Sequence, residues 1–267
     1  MSPTIRHLAA ALLLGLAPAS IQAAELSPEE RGFAVALAAD QRDTGWQDNA
    51  SSMLMLLRNR SGQESTRELR RQALESVGKG AGDKSIIVFD APGDIQGTAL
   101  LSHTRILEAD DQWLYLPALK RVKRISSGNK SGPFVGSEFA YEDLVSQETE
   151  KYDYRFLREE ACGDLTCAVV ERYPRYKSSG YTRQIVWWDR EEYRIHRIEF
   201  YDRKNQLLKT LTPLGYQEYA GRYWRPDRMV MENHQNGKGT ELVFENWVFA
   251  TGIAEKDFTA SRLRRVK

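Results

Sequence analysis

A rhythm of short strand candidates, cut by turn chemistry, constrains this chain more than any other feature. Thirteen windows read as strands: 50–58, 64–75, 84–90, 97–107, 112–116, 120–125, 151–160, 166–174, 182–189, 194–201, 206–213, 222–233 and 240–249. Between them lie Arg60-Ser61-Gly62, Ala91-Pro92-Gly93-Asp94, Ser178-Ser179-Gly180, Asp202-Arg203-Lys204-Asn205 and Asn236-Gly237-Lys238-Gly239. Short strands at this spacing favour an antiparallel meander closed into a barrel or a wrapped sheet. Strands and helices do not alternate, which argues against doubly wound and TIM-type folds. Gly78-Lys79-Gly80-Ala81-Gly82 is glycine-rich, but it precedes a strand instead of joining strand to helix. It reads as a turn, not a phosphate cradle.

Several windows are apolar on both faces: Met53-Leu54-Met55-Leu56-Leu57, Ile185-Val186-Trp187-Trp188, and Leu242-Val243-Phe244 with Trp247-Val248-Phe249. An antiparallel sheet with one wet face alternates apolar and polar residues. These strands therefore need cover on both sides, from protein alone, as in a sandwich-like core, or from protein and a bound apolar ligand.

Before the strands comes one well-signalled helix. Ser27 is placed to cap it, Pro28 suits its first position and Glu30 completes a capping box. Phe33 and Leu37 fall one turn apart, among alanines that favour helix. Residues 1–24 have the three-part pattern of a secretory signal peptide: Arg6 and His7, an apolar run from Leu8 to Ala17, then small residues up to Ala24. The expectation is one exported domain over 25–267, in the periplasm.

Lys and Arg number 38 against 37 Asp and Glu, so the global charge gives no support to a nucleic-acid partner. Cys162 and Cys167 bracket Gly163 and Asp164. In an oxidising compartment this spacing reads as a disulfide across a hairpin end. With no histidine nearby in sequence it is a poor metal site, and it is not a CxxC redox motif. His103, His196 and His234 lack a partner at i+4, and a GxSxG nucleophile elbow is missing. A hydrolase reading has no recognisable nucleophile to stand on.

Residues 111–144 are the most distinctive stretch. Trp113-Leu114-Tyr115-Leu116 is stopped by Pro117. Lys120, Arg121, Lys123 and Arg124 follow, then a Gly/Ser loop, then Phe134, Phe139, Tyr141, Glu142 and Asp143. The order suggests a strand, a basic strand and a long loop returning to the body of the protein, with 126–137 as a mobile segment. The basic run fits a solvated edge protected by charge, or a surface for anionic headgroups or an acidic partner.

With Phe89-Asp90-Ala91-Pro92-Gly93-Asp94-Ile95-Gln96-Gly97-Thr98, Trp113 to Pro117, Arg121, Lys123-Arg124-Ile125, Phe134 to Phe139 and Tyr141-Glu142-Asp143-Leu144, the chain resembles the LolA-like outer-membrane lipoprotein-sorting proteins. The similarity is to the branch associated with RND-type exporters. It implies a mainly β fold, a half-open antiparallel β-barrel with a few covering helices. It also implies an apolar cavity for acyl chains, no catalysis and no cofactor. The implied partners are a lipid or lipidated protein, with an RND-type inner-membrane transporter or an outer-membrane acceptor. Ligand contact is expected at Met53, Met55, Trp113, Tyr115, Phe134, Phe139 and Trp187, and headgroup or partner contact at Lys120, Arg121, Lys123 and Arg124. A carrier is the leading expectation, and a non-catalytic accessory subunit of an export system is the alternative. The Cys162–Cys167 hairpin and the chain's length depart from the compact carrier.

Overall fold

In the computed structural model, which describes residues 25–76, 81–106 and 108–265, Ser27 caps α1 (Pro28–Arg42) as its sequence predicts. Ser27 Oγ accepts from the Glu30 N–H at 3.1 Å, and Glu30 Oε2 accepts from the Ser27 N–H at 2.8 Å. The signal-peptide segment, the Gly78–Gly80 part of the glycine-rich turn and Leu107 lie outside the described residues.

The strands are β1 (Asp48–Arg58), β2 (Glu64–Leu74), β3 (Ala81–Ala91), β4 (Ala99–Arg105), β5 (Asp111–Leu116), β6 (Arg121–Arg124), β7 (Tyr152–Cys162), β8 (Leu165–Pro174), β9 (Tyr181–Asp189), β10 (Ile195–Asp202), β11 (Leu207–Tyr219), β12 (Tyr223–Asn233) and β13 (Gly239–Phe249). All neighbours are antiparallel, and the order in space is β6-β5-β4-β3-β2-β1-β13-β12-β11-β10-β9-β8-β7. Each strand pairs with its sequence neighbour except at two places. β1 pairs with β13, with Met55 opposite Leu242. β6 and β7, although consecutive, are the two free edges. The result is the half-open barrel expected, not a closed one. Its cover is one α-helix together with the segment 125–151, which connects the two edges through short 3-10 turns.

Pleating sorts the doubly apolar strands. In β3, Ile87 and Phe89 face the main core with Met53, Met55, Leu100 and Leu114, while Ile86 and Val88 face outward. The outward pair is covered by Phe258 and Leu263 from the C-terminal segment. In β9, Val186 and Trp188 join the main core, and Trp187 packs outside against Cys167 and Val169. In β3 and β9 the outer face is thus apolar because protein packs on it as well, whereas Val248 of β13 is 47% exposed. The Cys162–Cys167 disulfide is present, its Cα atoms 5.8 Å apart, at the β7–β8 hairpin.

The helix packs differently from its sequence pattern. Phe33 and Leu37 are 44% and 36% exposed, whereas Gly32, Val35 and Ala36 are buried. A close approach to the β7 edge selects that face. A Cβ on Gly32 would stand 2.8 Å from Phe156 N and 2.9 Å from Arg155 C, both backbone atoms that cannot swing away. The Arg31 guanidinium also lies over the Phe156 ring, 3.8 Å from its centroid. Gly32→Ala should therefore lower stability by about 1–3 kcal/mol, the usual cost of overpacking. Urea denaturation checks this, and an unchanged midpoint would mean that α1 does not sit against β7.

Candidate functional site

The inward residues of the sheet enclose a cavity of about 380 Å³. Its apolar wall is made by Met53 and Met55 of β1, Ile87 of β3, Ile198 and Phe200 of β10, Leu211 of β11, Met229 of β12, and Leu242, Phe244 and Trp247 of β13. Phe134, Phe139, Leu144 and Val145 of the 125–151 segment roof it. A second hollow of about 270 Å³ beneath the C-terminal half of α1 shares Arg172, Tyr216, Trp224 and Arg225 with it. Volumes of this size are typical of sites for small ligands.

The roof is held by buried charge. Lys151 Nζ donates to both carboxylate oxygens of Asp110, at 2.7 and 2.9 Å, and Lys130 Nζ donates to the Asp110 carbonyl. Lys209 Nζ of β11 donates to Asp143 Oδ2 at 2.6 Å and to the Glu138 carbonyl at 2.8 Å, and Tyr181 OH donates to Asp143 Oδ1 at 2.7 Å. Glu142 accepts from Ser179 Oγ at 2.8 Å, Gly180 N at 2.8 Å and Tyr176 OH at 3.1 Å. Burial, reinforced by the neighbouring Asp143 charge, still holds the Glu142 carboxyl above its usual range. Phe134 drops between these anchors, 1% exposed, with its ring 5.5 Å from Phe89. The stretch 126–137, expected as a mobile segment, has Lys130, Phe134 and Ser137 buried, while Ser126 to Asn129 are exposed. Its Gly and Ser residues serve tight turns around Phe134.

Where the 125–151 segment runs back toward β7, acids gather. Asp83 accepts from Ser76 N and Ser146 Oγ, both at 3.0 Å. Its own N–H lies 3.4 Å from Glu148 Oε1. Burial, then the Asp83 charge, pushes the Glu148 carboxyl up to about 7.

Of the residues expected to meet a ligand, Met53, Met55, Phe134 and Phe139 line the cavity. Trp113 and Tyr115 do not. They sit on the outer face in the Phe258 and Leu263 cluster, and Leu114 and Leu116 point inward instead. Trp187 is likewise outside, near the disulfide. Arg121, Lys123 and Arg124 lie on edge strand β6 and Lys120 just before it; all four are exposed, and Arg124 pairs with Asp111. The histidines are satisfied: His103 by the Phe258 carbonyl at 2.8 Å, His196 by Asp189 at 3.0 Å and His234 by Thr210 at 2.8 Å. His196 is nonetheless near the cysteines in space, all three ligand atoms lying within 4.8 Å, although both sulfurs are committed to the disulfide.

Arg71, Arg172 and Lys209 were not anticipated as inward residues. A signal existed. Leu69 and Ala73 flank Arg71 at period two, Ala168 and Val170 precede Arg172 at the same period, and Lys209 precedes Leu211. A basic residue in step with buried apolar ones must face the same way.

A family model described as "uncharacterized protein" matches residues 81–265. A crystal structure described as an outer membrane lipoprotein-sorting protein domain from Vibrio parahaemolyticus is 51% identical, covers 89% of this chain and 100% of its own, and superposes with a TM-score of 0.86. A DUF1329 family protein from Desulfovibrio piger is 31% identical over 89% of this chain and 100% of its own, with a TM-score of 0.84. A LolA superfamily protein from Nitrosomonas europaea, 23% identical over 85% and 97%, shares the fold at a TM-score of 0.68. No curated protein matches the chain.

Two outcomes follow from the anchors. Lys209→Met strands the buried Asp143 and should cost about 3–5 kcal/mol, read by chemical denaturation. The Glu148 carboxyl prefers the neutral form when folded, so its penalty grows as pH rises from about 4.5 to about 7 and is constant above. Glu148→Gln should therefore raise the melting temperature at pH 8 but leave it nearly unchanged at pH 4.5. An equal shift at both values would refute the assignment.

Proposed function

Given that the chain belongs to the LolA-like family of outer-membrane lipoprotein-sorting and DUF1329 proteins, we propose that it is a periplasmic carrier that shelters acyl chains of lipids or lipoproteins in the concave cavity. The observation that carries this reading is an apolar wall of Met, Leu, Ile and Phe inside an open sheet, roofed by a segment tied down through polar anchors. The role is binding and transfer to the outer membrane, with no bond made or broken.

Magnitudes limit how the cargo is held. Each buried CH₂ is worth about 0.8 kcal/mol. Full burial of two acyl chains of ~30 methylenes would pass the practical affinity ceiling near −20 kcal/mol, and release would stop. A cavity of about 380 Å³ covers only part of such a cargo and leaves the acceptor a hold on the rest.

A second reading, an accessory subunit of an RND-type export system, is favoured by β6. Arg121 and Lys123 are exposed on a free sheet edge, with Lys120 exposed just before it. The two readings separate experimentally. Native mass spectrometry and lipid extraction of protein from its host should find bound acyl lipid. Met229→Trp, which fills the cavity, should reduce that lipid several-fold without lowering the melting temperature by more than a few degrees. Protein that is empty in every preparation would sink the carrier. Arg121→Glu with Lys123→Glu should leave bound lipid unchanged, and loss of a co-purifying membrane partner in that variant would support the accessory role.

A further inference from the structure

The charged residues lining the cavity do not balance. Asp43 is paired with Arg225 at 2.6 Å, Asp143 with Lys209 at 2.6 Å, and Lys84 with Glu255. Asp83 is held by Ser76 and Ser146. Two guanidiniums are left over. Among the described residues, Arg71 donates to Asn49 Oδ1, at 2.7 Å, and Arg172 to Gln184 Oε1, through Nε at 2.7 Å, and to no other acceptor. Neither has a carboxylate within ion-pair distance among the described residues, although Arg172 is 3% exposed. A guanidinium carries five N–H donors, so most of theirs are unused. In the wall of the same cavity, the Nε1–H groups of Trp224 and Trp247 are buried without an acceptor among the described residues. Burial and the nearby Arg225 charge push Arg71 down to about 10, against the opposing pull of the Asp83 carboxylate, which lies beyond ion-pair distance. A buried unpaired charge is costly, and donors left over in a cavity mark where an acceptor belongs.

We propose that Arg71, Arg172 and the indole N–H groups of Trp224 and Trp247 form an oxyanion site inside the cavity, which selects acyl ligands with an anionic head, carboxylate or phosphate. The inference rests on the acyl-cavity reading and narrows it. The apolar wall of Met53, Met55 and Leu242 takes the chain, and the guanidiniums take the head. Bidentate geometry suits both oxyanions, so the head's identity is left to measurement.

The test is calorimetric titration of the whole mature chain, at pH 8, with palmitate, palmitoyl lysophosphatidic acid and neutral monopalmitoyl glycerol. At least one anionic ligand should bind about 10-fold or more tightly than the neutral one, the size of a charge-assisted hydrogen bond. The ranking of palmitate against the lysophospholipid identifies the head. Arg71→Met and Arg172→Gln, each checked for folding by thermal melt, should erase the preference while keeping neutral-ligand binding. Because Arg172 also stacks on Tyr152, 4.4 Å from its ring centroid, Arg71→Met is the variant of record if Arg172→Gln fails to fold. Equal binding of anionic and neutral ligands, or a preference that survives Arg71→Met, overturns the oxyanion site and leaves the acyl cavity standing. Absence of binding by all three overturns both.

Discussion

The pairing of β1 with β13 is the constraint from which the rest of the molecule follows. Every other pairing joins sequence neighbours and could form in any meander. This one brings the first and last strands together in the middle of the sheet. It leaves an open sheet only if one pair of consecutive strands stays unpaired, and that pair is β6 and β7, adjacent in sequence but at opposite ends of the sheet. The segment between them then has no choice but to cross the open side. The roof over the cavity is thus a result of strand order. The side chains of 125–151 decide only how well it fits.

Charge and apolar burial divide the labour. Apolar residues from many strands build the wall, where the sheet's alternation places them. Ion pairs and carboxylate cradles fix the segment that cannot join the ladder: Asp110 with Lys130 and Lys151, Asp143 with Lys209, and Glu142 with Ser179 and Gly180. Backbone without a sheet partner needs other hydrogen bonds when buried, and these side chains supply them. The protein spends buried charge where regular structure ends.

Much of this was legible in the sequence. Turn chemistry at Asp202 to Asn205 and at Asn236 to Gly239 marked hairpins that the structure contains, and all thirteen strand windows became strands. Ser27, Pro28 and Glu30 fixed the start of α1, because capping is local chemistry. The failures were non-local. Trp113 and Tyr115 look like cavity aromatics until the pleat is phased, and a one-residue change of phase swaps faces. The phase comes from β4, which pairs Leu101 with Trp113 on the outer side. Phe33 and Leu37 satisfied helical periodicity, yet Gly32 fits closer to β7 than any side chain could. Arg71 and Arg172 are in step with buried apolar neighbours, but one strand alone does not reveal that the space they face is walled by protein.

A roof anchored by ions behaves differently from a greasy one. When an apolar plug lifts, its surface and its socket both meet water at a loss. When Lys209 and Asp143 separate, water recovers much of the lost attraction by hydrating both charges. Hydration of ions becomes less favourable on heating, so such a seam loosens less with temperature than bare Coulomb attraction would suggest. The 125–151 segment is in that sense a wettable seal. It is tight while dry, and once water has entered, the cost of parting falls with each ion that is rehydrated.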